Sequence, residues 1–163
     1  MPPEIDVSSD RVTECTCDAI VIAAKSSDDG SVLGDRGSEV DTALDGAIGD
    51  FIKRSNFKGK VGEVQIIPTF GKIAAGAVAV VGVGSDPSSA EVRRAAGAAA
   101  RRLSERTVVA STLHDGIDDG VRAAAEGFLL GGYRFTKYRS DPDQAKTDRI
   151  VFLDNASKAD IER

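Results

Sequence analysis

Tryptophan is missing from these 163 residues, histidine and methionine occur once each, and aromatic side chains make up only 5% of the chain. The core must therefore be built from Val, Ile, Leu and Ala, the side chains of buried strands and closely packed helices. Cysteine occurs twice, as Cys15 and Cys17. Zinc normally takes four ligands, and the single histidine, His114, stands far along the chain, so two reduced thiols are expected rather than a metal site. On a strand, that spacing would turn both toward one face. Basic charge is not in excess: the net charge is −5, which lacks the electrostatic footprint of a nucleic-acid binder. No apolar run approaches the ~18 residues of a membrane span. The opening Met-Pro-Pro-Glu-Ile-Asp has neither the basic nor the apolar part of a leader, and a soluble cytoplasmic protein is expected. The catalytic patterns G-x-S-x-G, H-E-x-x-H and G-x-x-x-x-G-K-[ST] are all missing, so this segment is expected to hold no catalytic residue, metal ligand or cofactor.

What is present is an alternation of apolar runs with helix-period segments. Residues 18–24 (Asp-Ala-Ile-Val-Ile-Ala-Ala) and 77–83 (Ala-Val-Ala-Val-Val-Gly-Val) are continuously apolar, as in strands buried on both faces. Residues 61–70 alternate, with Pro68 pointing to an edge strand or a strand end. Residues 107–113 and 149–153 complete the strands, preceded by a possible first strand at 4–8. One helix is predicted over 38–54, with Val40, Leu44, Ala47, Ile48, Phe51 and Ile52 on one stripe and Ser38 and Asp41 as a capping pair. A second runs from the capping box Ser88/Glu91 to about residue 105, burying Val92, Ala95, Ala96, Ala99 and Leu103. A third spans 118–133, with Val121, Ala124, Ala125, Phe128 and Leu129 inward. Gly127, Gly131 and Gly132 each weaken it by up to ~1 kcal/mol relative to alanine, which suggests close backbone approach or a helix end. Residues 140–149 are expected to form a surface loop. Together these predict an α/β fold, a three-layer αβα sandwich around a mixed, mainly parallel sheet. Near the C-terminus, Ser157 and Asp160 have capping spacing. The reading favoured there is the start of a linker helix over 156–163 rather than a frayed tail.

Four groups could carry chemistry. Gly82, Val83 and Gly84, between a buried strand and a helix start, are a phosphate-loop candidate, since glycines let amides approach an anion. A tight turn needs the same glycines. His114, in Leu-His-Asp-Gly at a strand end, is expected to be an exposed loop histidine. The acidic pairs Asp28/Asp29 and Asp118/Asp119 flank glycines in turns or at helix starts, where carboxylates favour the helix dipole. Arg93, Arg94, Arg101, Arg102 and Arg106 form a basic patch, read as a solvated face.

Three segments carry a resemblance: 80–84 (Val-Val-Gly-Val-Gly) leading into 91–101, 60–64 (Lys-Val-Gly-Glu-Val), and 125–138 (Ala-Glu-Gly-Phe-Leu-Leu-Gly-Gly-Tyr-Arg-Phe-Thr-Lys-Tyr). The chain resembles the N-terminal domain of the leucyl (cytosol) aminopeptidase family of metallopeptidases. The resemblance implies a macro-domain-like fold over 1–155. It further implies a linker helix to a C-terminal catalytic domain holding two divalent metals (Zn or Mn), and a hexameric assembly that releases N-terminal residues from peptides. The partners implied are that catalytic domain and further copies of the chain. The metal ligands and catalytic Lys and Arg of the family lie in motifs that this segment lacks. Some members also bind DNA, which makes a DNA-contacting accessory domain one alternative. A macro-type module binding ADP-ribose or a related phosphate is another. Its glycine loop has a counterpart at Gly82–Gly84, but its asparagine-rich early loop does not match Ala23-Ala24-Lys25-Ser26-Ser27.

Overall fold

The structure, a computed structural model, describes residues 3–28, 30–137 and 147–153, with side chains described up to residue 132 in the last helix. Asp29, most of the loop expected at 140–149, the tyrosine end of the 125–138 segment and the helix start expected at 156–163 lie outside the described residues.

Among the described residues a seven-stranded sheet runs in the order β1-β7-β6-β2-β5-β4, with β3 paired to β2 off that path. Its strands are β1 (Glu4–Ser8), β2 (Ala19–Ser27), β3 (Gly30–Leu33), β4 (Val64–Pro68), β5 (Ala77–Gly84), β6 (Val108–Ser111) and β7 (Arg149–Leu153). Strands β1, β7, β6, β2 and β5 are mutually parallel, whereas β3 and β4 run antiparallel to β2 and β5. The helices are α1 (Asp35–Ala43), α2 (Ala47–Arg54), α3 (Ser89–Arg102) and α4 (Gly120–Lys137). The mixed, mainly parallel sheet is the one predicted.

Both faces of the sheet are covered, because successive side chains of one strand enter two different cores. From β2, Ala19 and Val21 join Val92, Ala95, Ala96, Ala99 and Leu103 of the α3 region and Ala124 and Phe128 of α4. Ile20, Ile22 and Ala24 pack instead with Val40, Leu44, Ile48 and Ile52. Strand β5 divides likewise, with Ala79 and Val81 on one side and Val78 and Val80 on the other. Helix α3 begins as expected: Ser88 and Glu91 form the reciprocal capping box. The Ser88 amide donates to the Glu91 carboxylate at 2.9 Å. Those bonds hold the Glu91 carboxyl below the usual glutamate range.

Several expectations need correction. The helix predicted over 38–54 is two helices, broken where Asp45 (φ 59°) and Gly46 (φ 80°) turn left-handed. Asp41 does not pair with Ser38 as a first-helix cap. Its carboxylate accepts from the amides of Ile48 (2.8 Å) and Gly49 (3.1 Å) and so satisfies the start of α2. Ala47 and Phe51 consequently turn to solvent. The first buried strand continues beyond residue 24 to pair with β3 in a hairpin that the short Gly-Ser-Val-Leu run did not announce. Strand β4 does sit at the sheet edge, as Pro68 suggested. It lacks a wet face over its centre, since Ile67 enters the second core while Ile66 packs against the first.

Candidate functional site

The cleft beyond the carboxyl ends of the parallel strands is where this architecture usually places a ligand. Here a depression of about 560 Å³ lies between the start of α1 and the loop from β6 to α4. Ala23, Lys25, Gly34, Arg36, Thr112 and Asp115 are among its lining residues. The start of α1 has no side-chain cap, and Gly37 is buried there, where a Cβ would just touch Ile22 and Leu33 at 3.4 Å.

Arg36 spans this cleft. Its Nε donates to Asp115 Oδ2 at 2.6 Å and one Nη2 hydrogen bond reaches Asp115 Oδ1 at 2.5 Å. The same nitrogen donates to the carbonyl of Leu153, at the end of β7. One guanidinium thus ties α1, the β6–α4 loop and β7, and its charge is already answered by a carboxylate. The forked geometry is the strong form of such a pair. Side-chain exposures of 27% and 41% reduce its worth through solvent screening. Arg36→Ala should lower stability by about 1–2 kcal/mol, read as a shift of the urea midpoint. Arg36→Lys, which keeps the charge but loses the fork, should recover less than half of that. Equal midpoints for Arg36→Ala and the parent would show that the clasp is ornamental.

His114 is not the exposed loop residue expected. It is only 5% exposed, stands edge-on to Phe152 with ring centroids 5.6 Å apart, and has Nε2 3.6 Å from Asp115 Oδ1. Phe152 fills the core beneath it, so the imidazole is part of the packing under the clasp. Asp118 and Asp119 are exposed; Asp119 (φ 56°) forms a left-handed turn just before α4, whose first turn holds no acidic residue.

Gly82, Val83 and Gly84 serve the fold rather than an open anion cradle. The amide of Gly82 donates to the carbonyl of Glu63 (2.8 Å) and that of Gly84 to the carbonyl of Gly59 (2.9 Å). Val83 is buried. The segment 58–63 lies over them as a tight loop. Glu63 Oε1 accepts from the amides of Lys58 (3.1 Å) and Lys60 (3.3 Å), and the Gly62 amide returns to the Gly82 carbonyl (3.1 Å). The Lys-Val-Gly-Glu-Val segment is therefore a buttoned loop seated on the glycine strand, and the amides of Gly82 and Gly84 are already donated to it.

Cys15 and Cys17 are buried and free, but they lie before β2 rather than on a strand. Hydrogen bonding between the thiols lowers Cys15; the same bonding together with burial raises Cys17. Among the described residues no three His, Cys, Asp or Glu side chains converge as metal ligands. No described helix is long and apolar enough to cross a membrane.

The arginines differ in their partners once folded. Arg93 pairs with Glu126 at 2.9 Å, and Arg102 donates to the Val64 carbonyl at 3.2 Å. Arg94 and Arg101 border a second depression, between α3 and α4. Nothing local in the sequence marks the Arg36 clasp: Asp115 stands out only as the neighbour of His114.

Comparison with known proteins places this geometry. The model of the cytosol aminopeptidase family, N-terminal domain, matches residues 20–142. A probable cytosol aminopeptidase of Sulfurihydrogenibium sp. is 30% identical over 155 residues, covering 90% of this chain and 30% of that protein. One from Rhodococcus opacus is 36% identical over 149 residues, covering 87% and 29%. The chain thus spans about 30% of the length of these relatives. Among solved structures, a tomato leucine aminopeptidase mutant superposes with a TM-score of 0.76 at 21% identity, covering 99% of this chain and 34% of that one. A Trypanosoma brucei macrodomain in complex with ADP gives 0.66 at 14% identity, covering 93% and 64%.

Proposed function

The chain belongs to the cytosol aminopeptidase family, whose N-terminal domain it matches, and from that premise we propose that it is a non-catalytic domain of a cytosolic leucyl aminopeptidase. In this reading residues 1–155 are the domain and 156–163 begin the linker to a catalytic domain. That domain carries the two divalent metals, Zn or Mn, and releases N-terminal residues from peptides. The role of the present chain is to shape a homo-oligomer, a hexamer, and to restrict access to the active site.

The observation that carries the reading is the conjunction of the family match with a cleft whose arginine is held by the fold itself. Arg36 is held by Asp115 and Leu153; Gly82 and Gly84 are held by the 58–63 loop. An enzyme's site keeps donors and bases aimed at substrate, whereas these aim at one another. Two measurements test it. The purified chain with Mn²⁺ or Zn²⁺ should turn over a leucine anilide no faster than the buffer blank; appreciable turnover defeats the non-catalytic reading. The catalytic polypeptide, made with and without this domain, should differ in assembled mass and in KM for peptides of different length. Identical mass and KM defeat the assembly and access roles.

The ADP-ribose alternative rests on fold likeness alone, and the Arg36–Asp115 pair crosses the cleft that it requires. Calorimetric titration with ADP-ribose is expected to give no binding tighter than ~100 μM; a tighter isotherm makes the nucleotide reading the better one. The DNA-contacting alternative is weakened by the net charge of −5 and by the pairing of Arg93 with Glu126.

A further inference from the structure

The second depression differs in character from the clasped cleft. It holds about 540 Å³ between α3 and α4, closed at one end by Val61 and Gly62. Gly97, Gly127 and Gly131 line it, all three buried where the backbones of α3 and α4 meet. Leu130 stands on its rim, 56% exposed. Arg94 and Arg101, both exposed, have no hydrogen bond or ion pair among the described residues. Their neighbours Arg93 and Arg102 are occupied, by Glu126 and by the Val64 carbonyl. Arg94 is near enough to Glu91 to contribute to lowering its carboxyl, but Glu91 is bound to Ser88.

Residues seven apart on one helix share a face and stand about 10 Å apart along its axis. Arg94 and Arg101 therefore present two free guanidinium groups at the repeat of another helix laid alongside. Carboxylates seven residues apart on that partner meet both arginines, and an apolar side chain between them meets the exposed Leu130. We propose that this groove docks an acidic amphipathic helix of a partner polypeptide, through a carboxylate pair of that spacing astride an apolar residue. Charge complementarity selects the occupant. Nucleic acid fits less well: Glu126 lies beside the groove on α4 and neutralises Arg93, and the chain is net −5. The proposal does not depend on the peptidase reading.

The test uses the full chain and a labelled synthetic peptide of roughly 16 residues. The peptide is alanine-rich, with two glutamates seven apart and leucines between them. Fluorescence anisotropy at about 50 mM salt should show saturable binding that weakens several-fold at about 300 mM. Peptides with lysine at the two acidic positions, or with one glutamate moved to the opposite face, should bind at least ~tenfold more weakly. The double variant Arg94→Glu/Arg101→Glu should lose at least ~tenfold. Arg54→Glu, on α2 across the sheet, should change nothing. The milder Arg94→Gln/Arg101→Gln, with an unchanged melting curve, keeps loss of binding distinct from loss of fold. The proposal is overturned by no saturable binding up to about 1 mM, by equal affinity for the face-shifted peptide, or by a DNA duplex binding more tightly through the same two arginines.

Discussion

Gly82→Ala is expected to destabilise the chain by about 3 kcal/mol, enough to lower the melting temperature by about 10 °C in a domain of this size. The cause is space rather than backbone conformation, since Gly82 is not among the glycines with positive φ. A Cβ there would stand 2.1 Å from the Lys60 carbonyl oxygen and 2.5 Å from the Gly59 carbonyl carbon. Both obstacles are backbone, so no rotamer change relieves them. The loop 58–63 must lift, which breaks the bonds from Gly82 to Glu63, from Gly62 to Gly82 and from Gly84 to Gly59. Loss of those bonds exposes the carboxyl end of β5. Gly84→Ala meets a different obstacle: its φ of 84° disfavours any side chain, and the nearest contact, Val61 Cγ2 at 3.1 Å, is a side-chain methyl that can give. Thermal unfolding by circular dichroism measures both. A Gly82→Ala melt within about 2 °C of the parent, well below the expected shift, would remove the loop from its place as the cover of this strand.

A second large effect is expected where α3 and α4 cross, and its sign reverses within six residues. Alanine is a better helix former than glycine by up to ~1 kcal/mol, so helix propensity alone makes Gly127→Ala, Gly131→Ala and Gly132→Ala all stabilising. The packing contradicts this at two positions. A Cβ on Gly127 would lie 2.2 Å from the Arg93 carbonyl oxygen and 2.8 Å from Ala96 Cβ, and one on Gly131 would lie 2.5 Å from the Gly97 carbonyl oxygen. At Gly132 a Cβ meets nothing within 4 Å. Gly127→Ala should therefore lose about 2–3 kcal/mol, because two helix backbones must separate and the Ala96 and Phe128 packing beneath them opens. Gly132→Ala should gain about 0.4–1 kcal/mol. Chemical denaturation of the two variants side by side decides the matter. If both shift the midpoint upward, the helices are not in backbone contact and the glycines need another explanation.

The amphipathic helix α3 was legible because both its signals are local. Ser88 and Glu91 are three residues apart, and all five side chains predicted to face inward are buried. Strands β5 and β7 were legible for a related reason, since an apolar run bounded by turn residues has few other uses. The cost of the α4 glycines pointed to close backbone approach, but which of them touch could not be read, because the answer lies on α3. The break between α1 and α2 stayed hidden because the left-handed residue at its start is Asp45, not a glycine, and because Asp41 serves the second helix across seven positions. The candidate site was the least legible part. Gly82, Val83 and Gly84 look alike as a phosphate loop and as the seat of another loop; only the path of residues 58–63 distinguishes them. Arg36 and Asp115 are 79 positions apart.

From its own residues the chain determines which segments become strands and helices, that the sheet is covered on both faces, and which family it joins. These follow from periodicity, capping and turn chemistry, all of them interactions over a few residues. The tertiary structure alone decides that the strand-end cleft is clasped, that His114 is buried, which arginines remain free and which glycines tolerate a methyl group. Each of these depends on groups brought within a few ångströms by segments far apart in the chain, where sterics and charge pairing act on distances that linear order does not contain.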